Sequence, residues 1–156
     1  MPEETNLYTE ATKTDRSLVR LKNKACKRLT AALLRIPAVS KVDTRVDAGY
    51  VQAFVTFDFS RPQWLYIVGR AIDRNYGGYG FRCELHTTDE PTAPLYLYIS
   101  SESGIHRGPE LRYEEAFQGA IALAERIEFL MSPEAGFIRA AFIPNQEPTP
   151  NQGSPI

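Results

Sequence analysis

The sequence lacks the features that mark several large classes of protein. It has only two cysteines and two histidines in 156 residues, and no apolar run approaches the roughly 20 residues that span a bilayer. Two cysteines are too few for the disulfide framework of a small secreted domain. The N-terminal stretch MPEETNLYTEATKTD is polar and acidic, unlike a secretory signal. These absences predict a cytoplasmic protein that does not associate with membranes.

The residues that support metal binding or catalysis are also scarce. Cys26 and Cys83 each lie in apolar patterns, which is typical of buried free thiols. A structural zinc site needs four ligands in close-spaced pairs, and the cysteines and histidines supply only one such pair, Cys83 and His86. No Walker-type Gly-Lys-Ser/Thr motif is present, and no set of acid, base and nucleophile stands out. We therefore expect no metal and no cofactor, and enzymatic activity is the least favoured function.

The charge is nearly balanced overall but unevenly distributed. The formal net charge is −1, whereas residues 13–45 contain ten basic and two acidic side chains, a net +8. The rest of the chain therefore carries −9. This asymmetry is the strongest compositional signal in the sequence, and it favours a charged binding surface.

The basic region coincides with a predicted amphipathic helix that starts at Thr14 or Asp15 and ends before Pro37. Apolar residues recur there at steps of three and four. The opposite face is basic and is the first candidate partner-binding surface. A solvated face, nucleic-acid phosphates, or the glutamate-rich face of the last helix from a second copy are the alternative interpretations. The candidate residues are Arg16, Arg20, Lys24, Lys27, Arg28 and Arg35.

The remaining pattern predicts two hairpins and two more helices. Residues 42–57 alternate in polarity around a turn at 47–49, and residues 81–86 and 95–100 form a second pair of alternating stretches. Residues 62–76 fit a helix better than a strand. A long helix begins at Pro109. The predicted fold is α+β, with a small antiparallel sheet of four strands packed by three helices in the order α-ββ-α-ββ-α.

Domain boundaries follow from the same pattern. Residues 1–13 are predicted to form a flexible arm, residues 14–143 a single α+β domain, and residues 144–156 a disordered tail. The segment 132–144 adds at most one short element.

A loop before the last helix is the second candidate site. It is rich in serine, glycine and basic residues and precedes a helix N-terminus, where free N–H groups favour anions. An ordinary strand-to-helix connection explains the same residues. The candidate ligand-binding residues, with two nearby tyrosines, are Ser101, Ser103, His106, Arg107, Tyr79 and Tyr98.

These features favour a non-catalytic interaction module that acts on a macromolecular partner, in the manner of an adaptor, chaperone or inhibitor. A protein partner is expected, and the module itself is expected to be a homo-oligomer. The second hypothesis is a binder of a small phosphorylated or nucleotide-like ligand through the loop before the last helix. The third is nucleic-acid binding through the basic helix.

Overall fold

The chain folds into one antiparallel sheet with helices packed on it. The computed structural model describes the backbone of residues 2–47, 49–73, 80–102 and 109–143, and the side chains within these ranges except those of residues 2–15 and 109–112. The α+β prediction is confirmed. The described elements are α1 (Pro2–Leu33), β1 (Val39–Asp47), β2 (Tyr50–Phe57), α2 (Leu65–Ile72), β3 (Phe81–Thr87), β4 (Leu95–Ser101), α3 (Pro109–Leu130) and α4 (Gly136–Phe142).

The four strands form a single sheet in the order β1-β2-β4-β3, and every neighbouring pair is antiparallel. Both predicted hairpins are present. In the first, Gly49 has a φ of 85°, a left-handed conformation that favours glycine. The hairpins join through β2 and β4, where Ala53 lies opposite Ile99 and Val55 opposite Leu97. β1 and β3 are therefore the edges of the sheet.

One face of the sheet forms the core with α1 and α3. Val51, Ala53 and Val55 alternate along β2 and are fully buried, as period-two burial requires. The helices contribute residues at three- and four-residue spacing. The buried helical residues are Ala25, Leu29, Ala32 and Leu33 of α1, and Phe117, Ala120, Leu123, Ala124 and Ile127 of α3.

Residues 62–72 are helical, which resolves the choice between helix and strand for most of that segment. A single 3-10 turn, Pro62–Trp64, leads into α2. Ser60 precedes this turn, and its backbone N–H and hydroxyl both donate to Asp58 Oδ1, at 3.0 and 2.6 Å. Asp58 thus stabilises the turn before the helix.

The helix count differs from the prediction at the C-terminal end. α4 is a fourth α-helix in the described residues, and its own residues are not buried. Ala135 and Ile143, which flank it, are fully buried, and the Phe142 ring stacks on Tyr66 with centroids 4.5 Å apart. Burial at both ends of a seven-residue segment explains why this helix packs on the domain.

Of the two predicted terminal segments, only the N-terminal one lies within the described residues. The helix expected from Asp15 begins at Pro2, so the backbone of the predicted arm 1–13 is helical from Pro2 onward. The flexibility of that arm stays a prediction. The tail 144–156 lies outside the described residues. In the part of the chain that the structure describes, no helix is both long enough and apolar enough to cross a bilayer.

Leu29 and Leu34 test whether the core is organised as described. Leu29 is fully buried, whereas Leu34, five residues later, is 47% exposed. We expect Leu29→Ala to lower the free energy of unfolding by about 3 kcal/mol because it leaves a cavity. Leu34→Ala should cost less than about 1 kcal/mol. Urea unfolding followed by circular dichroism measures both, and equal costs would contradict the assignment of the core face.

Candidate binding face

The sheet face opposite the core carries the most organised cluster of polar and aromatic side chains in the described residues. Strand alternation directs Gln52 and Phe54 of β2 away from the helices. The register then places Tyr98 opposite Phe54 and Glu84, and Tyr96 opposite His86. We call this side of the sheet the open face.

Four rings form a continuous strip across β2, β4 and β3. The Phe54 centroid lies 5.3 Å from that of Tyr98 and 5.9 Å from that of Tyr96. The His86 ring is 4.8 Å from Tyr98 and 5.5 Å from Tyr96. These separations lie in the range of favourable tilted aromatic pairs. The rings are half-buried, so the aromatic strip (Phe54, Tyr96, Tyr98 and His86) still presents surface to solvent.

Hydrogen bonds hold the polar ends of these rings in place. Gln52 Nε2 donates to the Tyr98 hydroxyl at 2.7 Å. His86 Nε2 lies 2.7 Å from Glu84 Oε2, and because a carboxylate only accepts, the proton is on Nε2. His86 Nδ1 can then accept from the Tyr96 hydroxyl, 3.4 Å away. The hydrogen bond from His86, aided by the charge of Arg82, holds the pKa of Glu84 below its usual value.

Charges on the open face are balanced, and four of them form two ion pairs. Arg45 Nη2 lies 2.6 Å from Asp43 Oδ2, and Arg82 Nε lies 3.3 Å from Glu84 Oε1. The Arg45 guanidinium also lies over Phe54, 5.0 Å from the ring centroid, which is a cation–π contact. Strand register adds one further basic and one further acidic residue to this face, Lys41 and Asp47. Three cations and three anions give no net field for attracting phosphates.

The predicted ligand loop is only partly described, and its described members do not converge. Ser101 is 3% exposed on the core side of β4, and its Oγ accepts a hydrogen bond from the Val51 N–H at 2.9 Å. Tyr98 lies on the open face, on the other side of the sheet. The remaining candidates lie outside the described residues: Tyr79, Ser103, His106 and Arg107.

The predicted basic surface keeps four exposed members on α1 and loses one to an internal contact. Arg28 is half-buried against α3: its Nε and Nη2 bind both oxygens of Glu128, at 3.1 and 3.0 Å, and its Nη1 binds Glu125 at 3.1 Å. Hydrogen bonding by Glu128 raises the pKa of Arg28. For Arg28 the acidic partners are therefore supplied by α3 of the same chain, and the second-copy interpretation of the other basic residues stays a prediction. Arg35 is exposed in the turn beyond α1, and the exposed members on α1 are Arg16, Arg20, Lys24 and Lys27.

A cleft of about 510 Å³ lies where β1 begins and β2 ends. Two charged residues line it, Arg61 and Asp58. Arg61 Nη1 donates to the Pro37 carbonyl at 2.9 Å, and Asp58 accepts from Ser60. These groups stabilise the local chain, so the cleft is a weaker candidate than the open face.

The sequence pattern selects Tyr98 as a site residue but does not join it to Phe54, Tyr96 and His86. Each of the three strands carries at least one aromatic or imidazole ring on the open face. Uniting those positions requires the order β2-β4-β3, which hairpin patterns alone do not specify. Across the described residues, no group of three histidine, cysteine, aspartate or glutamate side chains is arranged to hold a metal ion.

The contacts of Arg28 with Glu125 and Glu128 should contribute measurably to the packing of α1 on α3. We expect Arg28→Ala to lower the free energy of unfolding by about 1 kcal/mol, because it leaves the two glutamates without their partner. The loss should shrink at high salt. Lys24→Ala, at an exposed position of the same helix, is the matched control and should unfold at the wild-type urea midpoint. The contact would have no stabilising role if both variants unfolded at that midpoint.

The chain was compared with protein-family models, curated proteins and solved structures, and none of them matches it.

Proposed function

We propose that this chain is a non-catalytic binding module that holds a protein partner on its open face. The aromatic strip is the observation that carries the proposal. Tyrosine and phenylalanine are enriched at protein interfaces because they bury a large area at little entropic cost. Here the rings are already held by one another and by Gln52 and Glu84. A partner would therefore bind a surface that needs little ordering.

The charges favour a protein over a nucleic acid. Nucleic-acid binding depends on neutralising phosphates with an excess of lysine and arginine, and the open face carries equal numbers of both signs. The basic residues of α1 do not supply the excess. α1 buries its apolar face against the core side of the sheet, so its exposed basic face and the aromatic strip point to opposite sides of the domain.

Two side chains that could act as nucleophiles, Ser101 and Cys83, are in surroundings that make them unreactive, which supports binding rather than catalysis. The Ser101 hydroxyl is buried and accepts a hydrogen bond from the Val51 N–H. The expectation of a buried thiol is wrong for Cys83, which is exposed at its strand edge. The protein packed around its thiol, and secondly Glu84, nevertheless raise its pKa to about 11. A thiol with so high a pKa is mostly protonated at neutral pH and is a poor nucleophile.

The pH dependence of Cys83 alkylation tests whether the pKa of this thiol is raised. In a Cys26→Ser background, the rate of reaction with iodoacetamide should keep rising about tenfold per pH unit up to about pH 10, because the thiolate fraction is still increasing. Glu84→Gln should bring the plateau to lower pH by removing a neighbouring negative charge. In urea the same thiol should level off near its ordinary pKa. A plateau near pH 9 in the folded protein would remove this argument against a reactive cysteine.

Affinity capture with matched variants tests the function itself. Tagged wild-type protein is used as bait in nuclease-treated extract, beside Phe54→Ala/Tyr96→Ala. Phe137→Ala is the control, because Phe137 is 76% exposed and lies on α4, away from the sheet. We expect the same proteins with wild type and Phe137→Ala, and at least about tenfold less with the open-face variant. All baits are first checked for a wild-type melting curve.

The same experiment distinguishes the alternatives. A fourth bait, Arg20→Glu/Lys24→Glu/Lys27→Glu, reverses the exposed basic surface and leaves Arg28 paired. Loss of capture with this bait alone would assign binding to α1 instead of the open face. Capture seen only in a parallel extract that is not treated with nuclease would favour nucleic acid. Equal recovery with every bait would overturn the proposal.

A further inference from the structure

β3 ends the sheet with a row of backbone groups turned outward. The Thr88 N–H donates to the Pro94 carbonyl at 2.9 Å, and the Glu102 N–H donates to the Gly80 carbonyl. Even-numbered residues of this stretch therefore bond to β4. Antiparallel alternation then turns the N–H and C=O groups of Phe81, Cys83 and Leu85 toward the side of β3 that pairs with no other strand of the described residues.

The two edges of the sheet differ in how they are protected. β1 has an irregular register between Val39 and Lys41 and carries four charged side chains, against two on β3, Arg82 and Glu84. Irregularity and charge are features that block edge pairing. β3 pairs in unbroken register from Phe81 to Thr87. It also exposes 57% of Leu85. A regular edge with an exposed leucine is suited to adding another strand.

We propose that a second copy of this chain pairs antiparallel with β3, in the register that places Cys83 opposite Cys83 of the partner subunit. In this register Arg82 lies opposite the partner's Glu84, and Leu85 lies opposite the partner's Phe81. The two-fold axis repeats each contact. The inference specifies the homo-oligomer that the sequence leads us to expect, whereas the proposed capture of another protein on the open face does not depend on it.

Charge complementarity selects this register. The outward backbone groups belong to odd-numbered residues, so odd residues form the hydrogen-bonded pairs and even residues the close, non-hydrogen-bonded pairs. Centring the two-fold axis on Glu84 or on Arg82 would oppose like charges, which is destabilising. Centring it on Leu85 would place Arg82 opposite the partner's Thr88. Of these four registers, only the one centred on Cys83 pairs Arg82 of each copy with Glu84 of the partner subunit.

The pairing would join two open faces into one. The sheet would have eight strands, with β3 of each copy in the middle. His86 and the aromatic strip lie beside the new junction in both copies, because His86 is on the open face of β3. Leu85 and Cys83 would lose their exposure on the opposite side.

Disulfide trapping measures the register directly. Opposed residues of a hydrogen-bonded antiparallel pair have Cα atoms about 5.5 Å apart, within the range that a disulfide spans. Cys26→Ser protein is treated with diamide, which takes two electrons and two protons from the paired thiols. The reaction is run at about pH 9 and for long times, because the Cys83 thiol ionises only at high pH. We expect most of the protein to become a covalent dimer.

Two controls separate pairing from random collision. Cys26→Ser/Cys83→Ser should give no covalent dimer. Adding Lys41→Cys to that variant places an exposed thiol on the β1 edge, and it should remain monomeric under the same conditions. Equal trapping at position 41 would mean that collision explains the Cys83 product, and it would overturn the proposal.

A charge swap tests the interface without cysteine chemistry. Arg82→Glu and Glu84→Arg should each weaken the dimer by about tenfold or more in light-scattering measurements, because each opposes like charges. Arg82→Glu/Glu84→Arg should restore it. A wild-type monomer at micromolar concentration, or a dimer that neither cross-links through Cys83 nor responds to the swap, would overturn the proposal. A monomer that still captures proteins through Phe54 would leave the proposed function intact.

Discussion

The pairing of β2 with β4 is the contact on which the rest of the structure depends. It places Ala53 and Val55 beside Ile99 and Leu97 on one side, and so closes the core under α1 and α3. On the other side it places Phe54 beside Tyr98 and completes the aromatic strip. Because side chains alternate, a slip of one residue in this pairing would exchange the two faces. The same pairing makes β1 and β3 the edges.

Much of the fold could be predicted from the sequence because local periodicity encodes it. The hairpins, the face of α1 that contains Ala25, Leu29 and Leu33, and the long helix after Pro109 all follow from spacing. The order in which the hairpins join does not, because it depends on contacts between residues about 45 positions apart. α4 was also difficult to predict, since its burial is confined to the residues that flank it.

The candidate site was less predictable for the same reason. Tyr98 was identified, but Phe54, Tyr96 and His86 join it only when three strands are placed in order. Arg20 and Lys24 of the basic surface are exposed, and their role in binding stays a prediction. Arg28, indistinguishable from them by helical position, instead pairs with Glu125 and Glu128, about 100 residues away. Part of the charge asymmetry of this chain is therefore an internal contact between two helices.

The irregular register at the start of β1 has a consequence for the size of any assembly. A sheet with two equivalent edges propagates, since each added copy exposes another free edge and a fibril results. Of the two sheet edges in the described residues, β1 is interrupted between Val39 and Lys41 and carries charges beyond that point, so β3 is the better suited to recruiting a strand. In the proposed dimer, pairing through β3 would consume that edge in both copies. Growth would then terminate at a closed pair, and the sheet that presents the aromatic strip would not become a template for aggregation.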